Sequence, residues 1–288
     1  MNKISYLVPC FNHHLFILHS LSSILQDAES LAEDYEIIII DDGSSDGTDL
    51  IIKEWLRNTS RSNIRVVFRE NRGLCSTLNE LLEISTGDIV RLCSSDDLLM
   101  AGSTKIMLNA LLRDDLDCIL SDALVVNDLG DVIHDSAIAF HGGSVGRLVS
   151  QEDVSREIIK QWCIAGPSSL LKKSVYSQFA YTSGAAIDDF DFYLSMISNG
   201  SRLGFLNIQS CRYRVHGENT SKTAVKEARV KNLKSFLISC RKYDVPTFKY
   251  RKDIQVLISL TEAKVAYLQR SYYKLAISMA AYYWKRLN

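Results

Sequence analysis

Glu36-Ile-Ile-Ile-Ile-Asp-Asp-Gly-Ser-Ser-Asp-Gly-Thr48 decides the fold. Ile37 to Ile40 are four β-branched residues with no polar alternation, the pattern of a parallel strand covered on both faces. Asp41–Gly47 ends the run with turn-forming residues. From Thr48 to Asn58 apolar side chains return at helical steps, through Leu50, Ile51, Trp55 and Leu56.

The same unit recurs on either side. Ile4–Val8 reads as a strand closed by Pro9, and Leu15–Gln26 as a helix. Ile64–Phe68 and Asp88–Cys93 are further strands, with a helix over Leu74–Ile84 between them. This rhythm predicts an α/β fold with an open, mostly parallel sheet and flanking helices. Beyond it, Asp117–Val126 and Val132–His134 form a hairpin around Asn127-Asp-Leu-Gly-Asp131. The Gly/Ser-rich stretch 135–150 reads as a mobile loop. Helices follow over Gln151–Trp162, Lys173–Phe179 and Asp189–Ser198. The pattern is helical again from Ala224 to Arg286, with a break near Asp244-Val-Pro246.

At 288 residues, 47% hydrophobic and 23% charged, the chain is a globular one, which excludes a disordered or collagen-like polymer. Its seven cysteines are scattered, so no CxxC metal or redox site is present, and reduced thiols of a cytoplasmic protein are expected. Cys10, Cys75 and Cys93 read as small buried apolar residues. No span suits a membrane helix, since Tyr6–Gln26 holds Pro9, Asn12, His13, His14 and His19. The net charge of −1 conceals an asymmetry. Residues 1–200 carry 15 Lys+Arg against 29 Asp+Glu, and residues 201–288 carry 18 against 5.

Ligands of open α/β sheets bind beyond the carboxyl ends of the strands. There the sequence places Pro9-Cys-Phe-Asn12, Asp41-Asp42-Gly-Ser44, Glu70-Asn-Arg-Gly73 and Ser94-Ser-Asp-Asp97. Two acidic pairs at one crevice call for a cation or a positively charged group between them. Asp46 or Thr48 reads as a helix cap, and Asp96-Asp97 admits the same reading ahead of a helix at Leu98–Leu112. With no GxGxxG or P-loop motif, phosphates would need a metal to hold them.

Six motifs in order resemble the inverting family 2 glycosyltransferases of GT-A fold, over roughly residues 3–221. They are Ile4–Asn12, Glu36–Thr48, Asn71-Arg-Gly73 with Asn79, Gly87–Asp97, Ile187–Leu194 and Tyr213–Ser221. The resemblance implies that Asp42 hydrogen-bonds a nucleotide base in a pocket shaped by Pro9 and Phe11. Asp96 would contact the ribose or donor sugar, and Asp97 would coordinate Mn²⁺ or Mg²⁺, with His216 as a further metal or phosphate ligand. Asp189 would be the general base, with Asp188 beside it. The chain departs from the family where Ser95 replaces an acidic residue, Ala101 a proline and Asp188 a glutamate. For His216 a structural histidine is the other reading. Arg72 reads as a contact to the diphosphate or as a solvated loop arginine. Trp162 falls at the expected acceptor site or in the core. His13 and His14 read as surface residues at a helix start.

The resemblance implies a donor that is a nucleotide sugar, a UDP-sugar first, and an acceptor that is a saccharide or a polyprenyl-diphosphate-linked saccharide. The activity would belong to bacterial surface polysaccharide synthesis. A sugar nucleotidylyltransferase would want a basic Gly-rich loop near the N-terminus, and a non-catalytic sugar-nucleotide binding protein would not need Asp189. Residues 1–223 are expected to form the catalytic domain, with 1–100 as its nucleotide-sugar half and 101–223 as its acceptor half. Residues 224–288 would be a basic helical extension. Its Tyr- and Trp-rich helices suit peripheral contact with the inner face of a membrane, or packing on the catalytic body or in a homo-oligomer. Nucleic acid does not suit the acidic body.

Overall fold

The computed structural model describes residues 2–31, 34–181, 188–217 and 225–287, without the side chains of Gln178 and Asp188. The first part of the chain alternates as its apolar pattern requires. It runs β1 (Ile4–Cys10), α1 (Ile17–Ala28), β2 (Tyr35–Asp41), α2 (Thr48–Thr59), β3 (Ile64–Phe68), α3 (Leu74–Ile84) and β4 (Ile89–Leu92). β1 pairs in parallel with β2, from Ile4↔Tyr35 to Cys10↔Asp41, and with β4, from Ile4↔Ile89 to Leu7↔Leu92. The carboxyl ends of these strands therefore open on one edge.

Ile37 to Ile40 are all buried, but on alternate faces, because successive side chains of a strand point opposite ways. Ile37 and Ile39 join Ile17, Leu21 and Ile24 of α1 and Ile52 of α2 in one core. Ile38 and Ile40 join Leu78, Leu81 and Leu82 of α3 in the other. Each such side chain contributes about 1.5–3 kcal/mol on burial, which is why the run tolerates no polar residue.

The second part supplies β5 (Leu98–Leu99), α4 (Ser103–Arg113), β6 (Cys118–Val126), β7 (Val132–His134), α5 (Ala137–Phe140) and α6 (Gln151–Lys160). After these come β8 (Ser169–Lys172), α7 (Asp188–Ser198), β9 (Leu203–Arg214), α8 (Lys226–Lys242), α9 (Arg251–Leu268) and α10 (Tyr272–Leu287). The strands join one sheet in the order β3-β2-β1-β4-β8-β6-β9-β5, with β7 beside β6. β8 runs antiparallel between β4 and β6, and β6 and β9 run parallel. The sheet is mostly parallel, as expected.

Several local expectations change. Leu98 and Leu99 are not helical; they pair antiparallel with Cys211 and Arg212 of β9, and the helix begins at Ser103 after Gly102 at φ 77°. The stretch 135–150 is folded, with Ser136 capping α5 and Ala137, Ile138 and Leu148 buried. The Ile138 N–H donates to Asp122 Oδ1 at 3.1 Å. Lys173–Gln178 is a run of 3₁₀ turns rather than an α-helix. A second break in the C-terminal helices falls at Arg270, whose φ is 56°.

Behind the sheet lies a buried ion pair. Arg91 of β4 and Asp27 of α1 are fully buried 3.5 Å apart, and Arg91 also donates to Ser103 at 2.9 Å and to Thr104. Cys10 and Cys93 are buried, as expected, whereas Cys75 is only half-buried, and burial pushes the Cys93 thiol up to about 12. The C-terminal helices share a core with the body. Ile159 of α6 and Phe190 and Leu194 of α7 cluster with Leu237, Cys240, Tyr243 and Ile254. The expected boundary at 223/224 lies outside the described residues.

Candidate active site

Two turns lock together at the edge where β1 and β2 end. Asn12 takes the left-handed conformation at φ 54° and donates its N–H to Ser44 Oγ at 2.9 Å, while its Oδ1 accepts the Ser45 N–H at 2.9 Å. Gly43, at φ 78°, cannot carry a side chain: a Cβ there would stand 2.7 Å from the Asn71 nitrogen. That close approach brings the segment after β3 against Asp42. Asp42 Oδ1 accepts the Arg72 N–H at 2.9 Å and Oδ2 accepts the Gly73 N–H at 2.8 Å.

The cation that the acidic edge called for is in part the chain's own. The Arg69 side chain is almost wholly covered, pairs with Asp42 and donates to Thr77 Oγ1 at 2.8 Å. Its Nε stands 3.0 Å from Glu80, close enough for an ion pair but not aligned as a hydrogen bond. The sequence reading passed over Arg69. Its only signal was its place directly after β3, at the same edge. Arg72 has an exposed side chain, so its observed contribution to Asp42 is its backbone. Pro9 is half-buried and Phe11 exposed at the lip of β1.

The second acidic pair divides. β5 pairs with β9, and this sets the turn before β5 against the end of β9. There Asp96 Oδ2 lies 3.0 Å from His216 Nε2. His13 completes the group: ligand atoms of His13, Asp96 and His216 lie within 4.8 Å of one another. The His13 Nδ1 is 2.6 Å from Ser95 Oγ, a second contact that orients the ring. Its ring and that of His216 meet edge-on, with centroids 5.9 Å apart. The surface reading of His13 therefore gives way, whereas His14 is exposed and paired with Asp46 at 2.9 Å. Asp46 also accepts the N–H and hydroxyl of Thr48, so it serves α2 as a turn residue.

Asp97 lies outside this trio. It is buried, and its Oδ1 accepts the Arg214 N–H at 2.7 Å. Burial, with the charge of Asp96 beside it, pushes its carboxyl well above the usual carboxylate range. Arg214 is buried too. It donates to the carbonyls of Asp96, Asn127 and Asp128 and stacks its guanidinium 4.8 Å from the centre of Phe16. Two imidazoles and a carboxylate fit a divalent transition-metal ion.

Asp189 is the second residue of α7, half-buried, and its Oδ1 accepts the Phe190 N–H at 2.9 Å. The side chain of Asp188 lies outside the described residues. Trp162 packs on the same helix, its ring centre 5.6 Å from Phe190 and 5.1 Å from Tyr193. Trp162 thus packs against both neighbouring cores, as its core reading has it.

The glycosyl transferase family 2 model matches residues 5–177, more than half of the chain. The chain belongs to that family. It is a glycosyltransferase with the GT-A fold. Among its relatives, the Escherichia coli O-antigen biosynthesis glycosyltransferase WbnJ is 23% identical over 229 residues, covering 78% of this chain and 84% of that one. An Escherichia coli UDP-Glc:alpha-D-GlcNAc-diphosphoundecaprenol beta-1,3-glucosyltransferase, WfgD, is 20% identical over 78% of this chain and 81% of its own. The fold matches that of S. aureus TarS 1-349 in complex with UDP-GlcNAc, with a TM-score of 0.66 and 16% identity, over 97% of this chain and 89% of that one. It matches equally the Pyrobaculum calidifontis mannosyltransferase PcManGT in complex with GDP-Man and Mn²⁺. There the TM-score is 0.66 and the identity 16%, over 97% and 74%.

Proposed function

We propose that this glycosyltransferase moves a sugar from a UDP-sugar to a hydroxyl of a saccharide or lipid-linked saccharide, with inversion, in bacterial surface polysaccharide assembly. The observation that carries this reading is the shared edge of Asp42 and the His13–Asp96–His216 group. One side offers a base-recognition carboxylate and the other a cation site, about what a nucleoside diphosphate needs. The named roles of WbnJ and WfgD support the pathway and the acceptor class.

Asp42 supports the choice of base. A carboxylate has about four acceptor sites, and Arg69, Arg72 and Gly73 fill three of them. Among the described residues one remains on Oδ2, the number that the single imide N–H of uracil requires. His13, Asp96 and His216 would hold the metal. Imidazole ligands favour Mn²⁺ over Mg²⁺, which prefers an all-oxygen shell. Bound there, the ion would neutralise charge on the departing diphosphate. Asp97 we assign to holding Arg214, and through it the end of β9, rather than to the metal. Asp189 takes the proton from the acceptor hydroxyl, with Asp188 and Trp162 on the acceptor side. Attack from the face opposite the leaving group inverts the anomeric carbon. Residues 1–223 would form the catalytic unit and 224–288 its extension.

Incubation with Mn²⁺ and a panel of UDP- and GDP-sugars, following release of nucleoside diphosphate, tests the donor. Release from UDP-sugars is expected; release from GDP-sugars alone, or from none, refutes the assignment. Asp189→Asn should lower turnover about 10²–10⁴-fold, with UDP affinity retained.

A further inference from the structure

α10 carries an outward face with no charge on it. At 3.6 residues per turn, Tyr272, Tyr273, Ile277, Tyr283, Trp284 and Leu287 fall on one arc of about 140°. Ala276 and Ala280 lie between them. All eight are exposed, Tyr273 by 79% and Leu287 by 84%. The opposite side of the helix, around Ser278, packs along α9, and Lys285 is bent back to Ser259 Oγ at 3.1 Å. A helix apolar on both sides is normally buried on both.

Charge around the face identifies its occupant. Residues 225–287 hold 14 Lys+Arg against 4 Asp+Glu. Beside the face, α8, α9 and α10 enclose a groove of about 610 Å³. Its apolar floor includes Leu237 and Val265, and Lys234, Arg241 and Lys274 stand along it with one carboxylate, Glu262, which Arg241 pairs at 2.7 Å, so the lining keeps a net positive charge. Ile277 belongs to both the groove and the outward face, so the two surfaces are continuous. A second copy would set one strongly basic unit against another. An anionic lipid surface complements the charge, and Tyr and Trp are the side chains that settle at such an interface. Among the described residues no helix is long and apolar enough to cross a membrane.

We propose that the outward face of α10, with the basic groove beside it, docks the enzyme on an anionic lipid surface, the helix lying in the plane of the headgroups. This does not rest on the donor or acceptor proposed above, and its test reads binding rather than sugar transfer.

The full chain is sedimented with vesicles of phosphatidylcholine alone and of phosphatidylcholine mixed with phosphatidylglycerol. Binding is expected only to the mixed vesicles and should weaken with salt. Ile277→Asp combined with Trp284→Asp should lower the partition coefficient by at least about tenfold, and Lys274→Glu by about fivefold. The exposed positions make an unchanged melting temperature the folding control. Tyr273→Ser is the milder variant should the double one aggregate. Equal sedimentation of wild type and variants, or equal binding to neutral vesicles, overturns the proposal. So does a wild-type dimer in the ultracentrifuge that the double variant dissociates, since a second copy would then cover the face.

Discussion

Replacing Arg69 by methionine removes the cation from a carboxylate that has little solvent to turn to. The Asp42 side chain is 5% exposed and that of Arg69 8%. Breaking a buried pair by deleting one partner typically costs about 3–5 kcal/mol. Asp42 keeps the Arg72 and Gly73 N–H groups, so the lower end applies, and Glu80, at 28% exposed, can hydrate. A loss of about 3 kcal/mol is therefore expected, a fall of roughly 5 °C in melting temperature for a chain of this size. Asp42→Asn should be milder, because Arg69 retains Thr77 and Glu80. In the double variant neither charge is left facing an empty partner, so its loss should fall short of the sum by about 2 kcal/mol. Urea unfolding followed by circular dichroism measures all three variants, and calorimetry with UDP reads the binding edge, which Arg69→Met should weaken. If Arg69→Met stays within about 1 kcal/mol of wild type, or the two changes simply add, Arg69 is not what holds Asp42.

Further expectations follow from other parts of the molecule. His13→Ala and His216→Ala should each weaken Mn²⁺ binding by more than the 10–100-fold that losing an outer partner costs. Asp97→Asn should leave it near wild type, because the neutral side chain still accepts the Arg214 N–H; Mn²⁺ titration followed by electron paramagnetic resonance separates the two outcomes. Asp27→Ala strands the buried Arg91 and should destabilise by about 3–5 kcal/mol in urea, a loss that Asp27→Ala with Arg91→Met should partly recover. Hydrogen bonds from Arg202 and Lys172 lower the Asp115 carboxyl from 3.8 to about 2. A depressed folded pKa gives stability that is present above 3.8 and lost as pH falls towards 2. Asp115→Asn should therefore flatten the acid limb of thermal stability in that window, and an unchanged slope would exclude this pair as its source.

The first half of the fold was legible because its signals are local. Ile64–Phe68 and Leu74–Ile84 occupy the positions their spacing assigned, and β2 ends within one residue of the last isoleucine. The second half depends on pairing across long stretches of chain. β9 mixes Asn207, Gln209 and Arg212 with apolar residues and is only partly covered, so it shows neither the unbroken apolar run of a central strand nor clean alternation. β5 is two residues long and is a strand only because β9 lies beside it. The site divides in the same way. Asp42, Asp96 and His216 could be singled out because motifs surround them. His13 and Arg69 are lone polar residues, and only the register of β1 with β2 and of β2 with β3 puts them at the crevice.

His216 lies 120 residues beyond Asp96, and what joins them is the pairing of a two-residue strand with the far end of β9. On the ribosome, the half of the protein that carries Asp42 and Asp96 is made long before the segment that carries His216 emerges. A nascent chain can thus hold the carboxylate proposed to read the base before the proposed metal site exists. If the proposed metal site is right, capture of the donor becomes a late event, tied to closure of the sheet, and a lesion that loosens β9 should appear first as lost Mn²⁺ affinity in a protein that still looks folded.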